Sequence, residues 1–86
     1  MTVRAKFKVS SIKRSMATRP KADGSGYEPC EGQTITMVPV VRGSEENQKF
    51  FSTTPSGLIE FFTVNELAYG QFNLDTEYVI EFTPVT

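Results

Sequence analysis

Apolar and polar residues alternate from the start of the chain. Residues 3–9 read Val-Arg-Ala-Lys-Phe-Lys-Val, so every second side chain is apolar and those between are basic. Because successive side chains of a β-strand point to opposite faces, this period of two predicts a strand with one buried and one cationic face. After Ser10 and Ser11 the apolar role passes to Ile12. This change of phase predicts a bulge or a bend.

Three later segments also have the composition of strands. Residues 33–42 are rich in Thr and Val, which favour strands, but Pro39 cannot donate to a ladder and predicts an edge position or a bulge. Residues 58–64 are partly apolar on both faces, and residues 77–83 alternate cleanly.

Two short helical turns are predicted between these strands. Ser44 has the character of an N-cap, and two glutamates follow it where the helix dipole favours acids, so we expect helix over 45–52. Asn65 is expected to begin a second turn over 66–69, which Gly70 ends.

Residues 15–32 are punctuated by proline and glycine, which predicts a long mobile hairpin loop at about 15–32. The chain as a whole predicts a single small domain over residues 1–86. Its fold class is mostly β: a small antiparallel barrel or sandwich of about four to five strands, with one or two short helical turns. The pattern leaves the strand order open.

Composition changes the picture by exclusion. The 86 residues include no His, no Trp and one Cys, Cys30, which removes Ser-His-Asp and Cys-His nucleophile pairs and His-ligated metal sites. Glu77 and Glu81 lie too far apart on one strand for paired carboxylate chemistry. We therefore expect no enzyme, no metal and no cofactor. A lone thiol favours the cytoplasm, no apolar run is long enough to cross a membrane, and so small a core favours oligomerisation.

Charge is divided unevenly along the chain. Residues 1–21 carry seven basic side chains and no acid, whereas residues 22–86 carry two basic side chains and all ten acids. The first hypothesis is therefore a non-enzymatic protein that binds a polyanion, either nucleic acid or a nucleotide signal, at a site between protomers of an oligomer. The simpler alternative is a solvated strand face whose charges protect an edge. The candidate ligand-binding residues are Arg4, Lys6, Lys8, Lys13, Arg14, Arg19, Lys21 and, for stacking, Tyr27.

The second hypothesis is a protein–protein module. Strands that are apolar on both faces and an adjacent pair of phenylalanines, one of which must face away from any single core, favour an oligomer interface. The candidate interface residues are Val38, Val40, Phe61 and Phe62.

Four stretches carry a resemblance to a family. The segments 3–9, 43–47, 54–57 and 78–84 are similar to segments of small uncharacterised proteins of tailed phages. The resemblance implies a phage protein expressed in a bacterial cytoplasm, and it brings no activity or binding residues with it. It implies one of three roles: handling of phage nucleic acid, inhibition of a host defence protein, or a structural part of the virion.

Overall fold

A four-stranded antiparallel sheet forms the body of the protein, and the computed structural model describes it over residues 3–86. The strand order is β3-β2-β1-β4, so β1 is an inner strand. The mostly β, antiparallel class is confirmed, and the sheet is open, not closed into a barrel. The elements are β1 (Val3–Pro20), β2 (Tyr27–Pro39), α1 (Glu45–Phe51), β3 (Ile59–Thr63), α2 (Glu66–Tyr69) and β4 (Glu77–Phe82).

The first strand carries the predicted bulge. The register between β1 and β2 shifts between Val9 and Ser11, so the extra residue lies where the sequence changes phase. Before the bulge Ala5, Phe7 and Val9 of β1 are buried, and after it Ile12 lies opposite Ile35 on the same side of the sheet. One bulge thus exchanges the odd and even faces of β1 half-way along its length.

The prediction of a long loop at 15–32 is wrong. β1 and β2 stay paired from Ser15–Gly32 outward to Pro20–Tyr27, and only residues 21–26 form the turn. The Lys21 N–H donates to the Gly26 carbonyl at 2.8 Å and closes this turn. The proline and glycine content therefore belongs to a long hairpin, which we call the arm over residues 11–32.

The prolines fit the hairpin because their nitrogens face no strand. Opposed residues of an antiparallel pair alternate between bonded and non-bonded positions. Counting from the Lys21–Gly26 bond, Pro20 and Pro29 occupy non-bonded positions, where no N–H is needed. Pro39 was expected at an edge or a bulge. It ends the inner strand β2, beyond the last residue that β3 pairs with.

The core is small and lies on one face of the sheet. Seven partly buried apolar residues, among them Phe51 of α1, pack around its five fully buried members. Those five are Ala5, Phe7, Val9, Ile35 and Met37.

Asn47 of α1 fastens the helix to the sheet. Its amide is 1% exposed, accepts from the Lys6 N–H at 2.6 Å, and donates to the Lys6 and Val40 carbonyls at 2.7 and 2.8 Å. The side chain is thereby inserted between β1 and the segment that follows β2, where the ladder would otherwise end. The predicted N-cap is also confirmed, because the Ser44 hydroxyl accepts from the Asn47 N–H at 3.2 Å.

Replacing Asn47 should therefore destabilise the fold more than any other single change in α1. In Asn47→Ala the buried Lys6 N–H and Val40 carbonyl lose their partner, and we expect a loss of about 3 kcal/mol in the free energy of unfolding. Urea denaturation followed by circular dichroism measures it. The exposed neighbour provides the control: Gln48→Ala should change stability by less than about 0.5 kcal/mol. Equal stability of the two variants would show that Asn47 is not a structural link.

Candidate interaction surfaces

The predicted basic row lies on the face of the sheet opposite the core, which we call the outer face. Strand β4 lies beside it and brings two acids: Arg4 is opposite Glu81 and Lys8 is opposite Glu77, with Lys6 between them. Oppositely charged residues in directly opposed positions of a sheet attract each other. The row is therefore flanked by the carboxylates of its own chain.

Two members of the row form ion pairs. Arg4 Nη2 lies 2.6 Å from Glu81 Oε1, and Lys6 Nζ lies 3.7 Å from Glu46 Oε1 and 3.8 Å from Glu77 Oε1. The Lys6 side chain is only 25% exposed, so its charge is less accessible than that of Arg4, whose side chain is 62% exposed. Exposed ion pairs contribute little stability, but these carboxylates lower the net positive charge that a ligand would meet.

Glu46 is held as an acceptor at the start of α1. Its own backbone N–H, and after it the Ser44 hydroxyl, hold the pKa of the Glu46 carboxyl below its ordinary value. The Ser44 hydroxyl donates to Glu46 Oε1 at 3.1 Å. The carboxylate beside Lys6 therefore stays ionised at neutral pH.

The arm contains two further ion pairs. Arg14 Nε lies 3.8 Å from Glu31 Oε2. Arg19 lies 3.4 Å from Glu28 and 3.9 Å from Glu66 of α2. Four of the seven predicted basic residues thus have acidic partners in the same chain.

Because of the bulge, the predicted basic residues of β1 lie on two different faces of the sheet. Lys13 and Arg19 lie on the outer face with Lys6 and Lys8, whereas Arg14 lies on the side of the core. Among residues 3–86, Lys8, Lys13 and Lys21 form no ion pair.

Tyr27 lies at the base of the turn and is 71% exposed. It is paired with Pro20, so the register places it on the side of the core, away from Lys13. The eight candidate ligand residues therefore do not converge on one pocket.

The two adjacent phenylalanines have separate environments, as expected. Phe61 packs against the core, with its ring centroid 5.1 Å from that of Phe72, so its assignment to an oligomer interface is not supported. Phe62 is 53% exposed on the outer face, where its ring covers Gly32. An aromatic side chain that covers a glycine replaces packing the glycine lacks.

The two valines assigned to an interface are both half-buried. Val38 lies opposite Lys8 on the outer face, between β1 and β3. Val40 follows β2, and its N–H donates to the Lys6 carbonyl at 3.0 Å. Val38 thus remains part of the outer face, whereas Val40 contributes to the link with Asn47.

Sequence reasoning missed an exposed apolar cluster at one end of the sheet. Val3, Phe50 and Phe82 are 42%, 42% and 44% exposed, and the rings of Phe50 and Phe82 stack at 5.9 Å. Alternation along β4 identified Phe82, but nothing in the sequence placed α1 beside it. Within residues 3–86 no group of three or more metal-ligating side chains lies together, and neither helix is long and apolar enough to span a membrane.

Gly32 and Phe62 should be energetically coupled. A Cβ at Gly32 would meet Phe62 Cζ and would lie 2.6 Å from Phe62 Cε1, so Gly32→Ala should destabilise the wild-type chain. In a Phe62→Ala background the same change should stabilise by about 0.5–1 kcal/mol, because alanine suits a strand better than glycine. A double-mutant cycle from urea denaturation measures the coupling, expected at about 1 kcal/mol or more. Additive effects would mean that the ring does not cover the glycine.

Comparison of the chain with models of known protein families, with curated proteins and with solved structures finds no match in any of the three. The resemblance to tailed-phage proteins therefore stays a prediction. The function has to be inferred from the surfaces described above.

Proposed function

We propose that this protein is a non-enzymatic protein–protein module that acts as a homo-oligomer. The observation that carries the proposal is the shape of a single chain. Its radius of gyration is 16.1 Å, whereas a compact domain of this length has about 12 Å. Its accessible surface is 6333 Å², against about 5,100 Å² expected for a monomer of this mass.

The extra surface has an identifiable origin. The sheet is one layer, its extents are 51 × 33 × 17 Å, and the part of the arm that carries Met16 extends beyond the buried core. Met16 in the arm is 78% exposed, and the cluster of Val3, Phe50 and Phe82 adds apolar surface at the other end. Apolar surface left exposed on a small chain is typical of proteins that bury it against a partner.

The family resemblance gives this module two biological settings. In a tailed phage a self-assembling module would be a structural part of the virion or an inhibitor that binds a host defence protein. A structural part of the virion would be a stable oligomer, whereas an inhibitor would also need a surface that binds the host protein.

Sedimentation equilibrium tests the proposal directly. We expect the purified chain to sediment as a dimer or larger oligomer at micromolar concentrations, with a dissociation constant that changes little with salt, because apolar and backbone contacts dominate. A matched pair of variants tests which end of the sheet forms the oligomer interface. Phe82→Ser removes apolar surface from the cluster, and Met16→Ser removes it from the arm. A strictly monomeric wild-type chain with an unperturbed sheet would contradict the proposal.

Polyanion binding is a second candidate, favoured by three cations without ion pairs. Lys8 and Lys13 lie on the outer face on either side of the bulge, and Lys21 begins the turn of the arm. A ligand bound there would contact the lysines of β1 and not the paired residues Arg4 and Lys6. Because only a few phosphates would be neutralised, binding would be weak and strongly dependent on salt.

Fluorescence anisotropy with labelled single-stranded DNA and with cyclic nucleotides tests this candidate. We expect binding at low salt that Lys8→Glu/Lys13→Glu abolishes. The control is Arg42→Glu/Lys49→Glu, which makes the same charge change outside β1 and should retain most of the affinity. No binding by the wild-type chain at low salt, or equal loss in both double variants, would eliminate polyanion binding through β1.

A further inference from the structure

We infer that two copies of the chain join through the free edge of β1 and form one continuous sheet. The inference rests on the proposed homo-oligomer and specifies its interface. β4 pairs only with Val3–Lys8 of β1, and the Val9 carbonyl accepts from Asp75 in the turn before β4. Beyond that point no strand of residues 3–86 pairs with this side of β1. We call the backbone edge of residues 11–20 the free edge.

The hydrogen-bond register of the arm determines which groups the free edge presents. The Lys21–Gly26 bond and the alternation along the ladder put Ser15, Ala17 and Arg19 in positions bonded to β2. The residues between them turn their N–H and C=O groups outward. Four outward N–H donors follow at every second residue: Ile12, Arg14, Met16 and Thr18.

An antiparallel second copy can satisfy all four donors. Opposed residues must both face the shared edge, so an outward residue must oppose an outward residue. With Ser15 on the twofold axis, Arg14 lies opposite Met16 and Ile12 lies opposite Thr18, each pair exchanging two hydrogen bonds.

The neighbouring registers are unfavourable. Shifting the axis to Met16 places Lys13 directly opposite Arg19 and sets Ile12 against Pro20, which has no N–H. Shifting it to Arg14 places two arginines opposite each other. Like charges in directly opposed positions destabilise a sheet, so charge selects the register centred on Ser15.

Charge and length both permit this pairing. The arm contains four basic and three acidic residues, and the ion pairs of Arg14 and Arg19 neutralise two of its cations within each copy. In the register centred on Ser15, Pro20 of the second copy lies opposite Ser10. Strand β1 of the second copy therefore ends where the turn before β4 begins, and the paired strands occupy a free edge about 33 Å long.

The excess accessible surface of the chain is large enough to supply a dimer interface. The chain exposes 6333 Å², about 1,200 Å² more than expected for its mass. A standard interface buries about 800 Å² of each partner. Pairing two free edges covers Met16 and the outward backbone groups, and it also removes the long unpaired edge that otherwise invites aggregation.

Disulfide trapping tests the register. Ser15→Cys in a Cys30→Ser background places two thiols opposite each other on the twofold axis, at a separation that a disulfide can span. Oxidised glutathione should convert most of the protein to a covalent dimer. The control is Ser11→Cys in the same background, because the two Ser11 positions would lie about 26 Å apart. Equal trapping of the two variants, or none in either, would overturn the register.

A second measurement separates this inference from the proposed function. Met16→Pro removes an outward donor but no bond to β2, so the monomer should keep its circular dichroism spectrum while the dimer dissociation constant rises at least tenfold. If the reduced Ser15→Cys protein sediments as a dimer without trapping, the homo-oligomer stands and the free-edge pairing fails. If wild-type protein is monomeric, both fail.

Discussion

The pairing of β1 determines the rest of the structure. This strand is bonded to β4 over residues 3–8 and to β2 from Phe7 onward, so it is bonded on both sides only near Phe7 and Lys8 and on one side only beyond Val9. The double pairing centres the core on β1, because it places Phe7 and Val9 between two neighbouring strands and next to Ala5. The single pairing produces the arm. The protein therefore consists of a well-packed half and a half whose backbone groups are satisfied on one edge alone.

The uneven distribution of charge has a structural explanation within one chain. A basic segment at the start and acids further along look like a ligand site when the chain is considered as a line. In the folded sheet, Arg4 lies opposite Glu81, and Glu31 and Glu28 of β2 reach the two arginines of the arm. Cations of the first strand therefore find their acids in the strands and helices that follow. Lys8 and Lys13 are the cations of the outer face that form no ion pair within residues 3–86.

Local patterns predicted most of the elements but not their assembly. Strict alternation at residues 3–9 and 77–83 corresponds to β1 and β4, and the phase change after Ser10 corresponds to the bulge, because side-chain period and burial are directly linked in a sheet. The arm was predicted to be a loop because proline and glycine favour turns. Proline is nevertheless compatible with a strand at positions where no backbone N–H has to donate to a neighbouring strand. Which positions those are depends on strand order, which is a non-local property.

The candidate surfaces were harder to predict for the same reason. Asn47 is indistinguishable in sequence from any exposed helix residue, and its three hydrogen bonds exist only because α1 lies at the end of the β1–β2 ladder. The free edge likewise cannot be inferred from composition, since basic residues at an edge are a common protection against unwanted pairing. In this chain the same residues have a second effect. Lys13, Arg14 and Arg19 disfavour the two neighbouring registers but not the one centred on Ser15, so charges that oppose random edge association also favour one symmetric pairing.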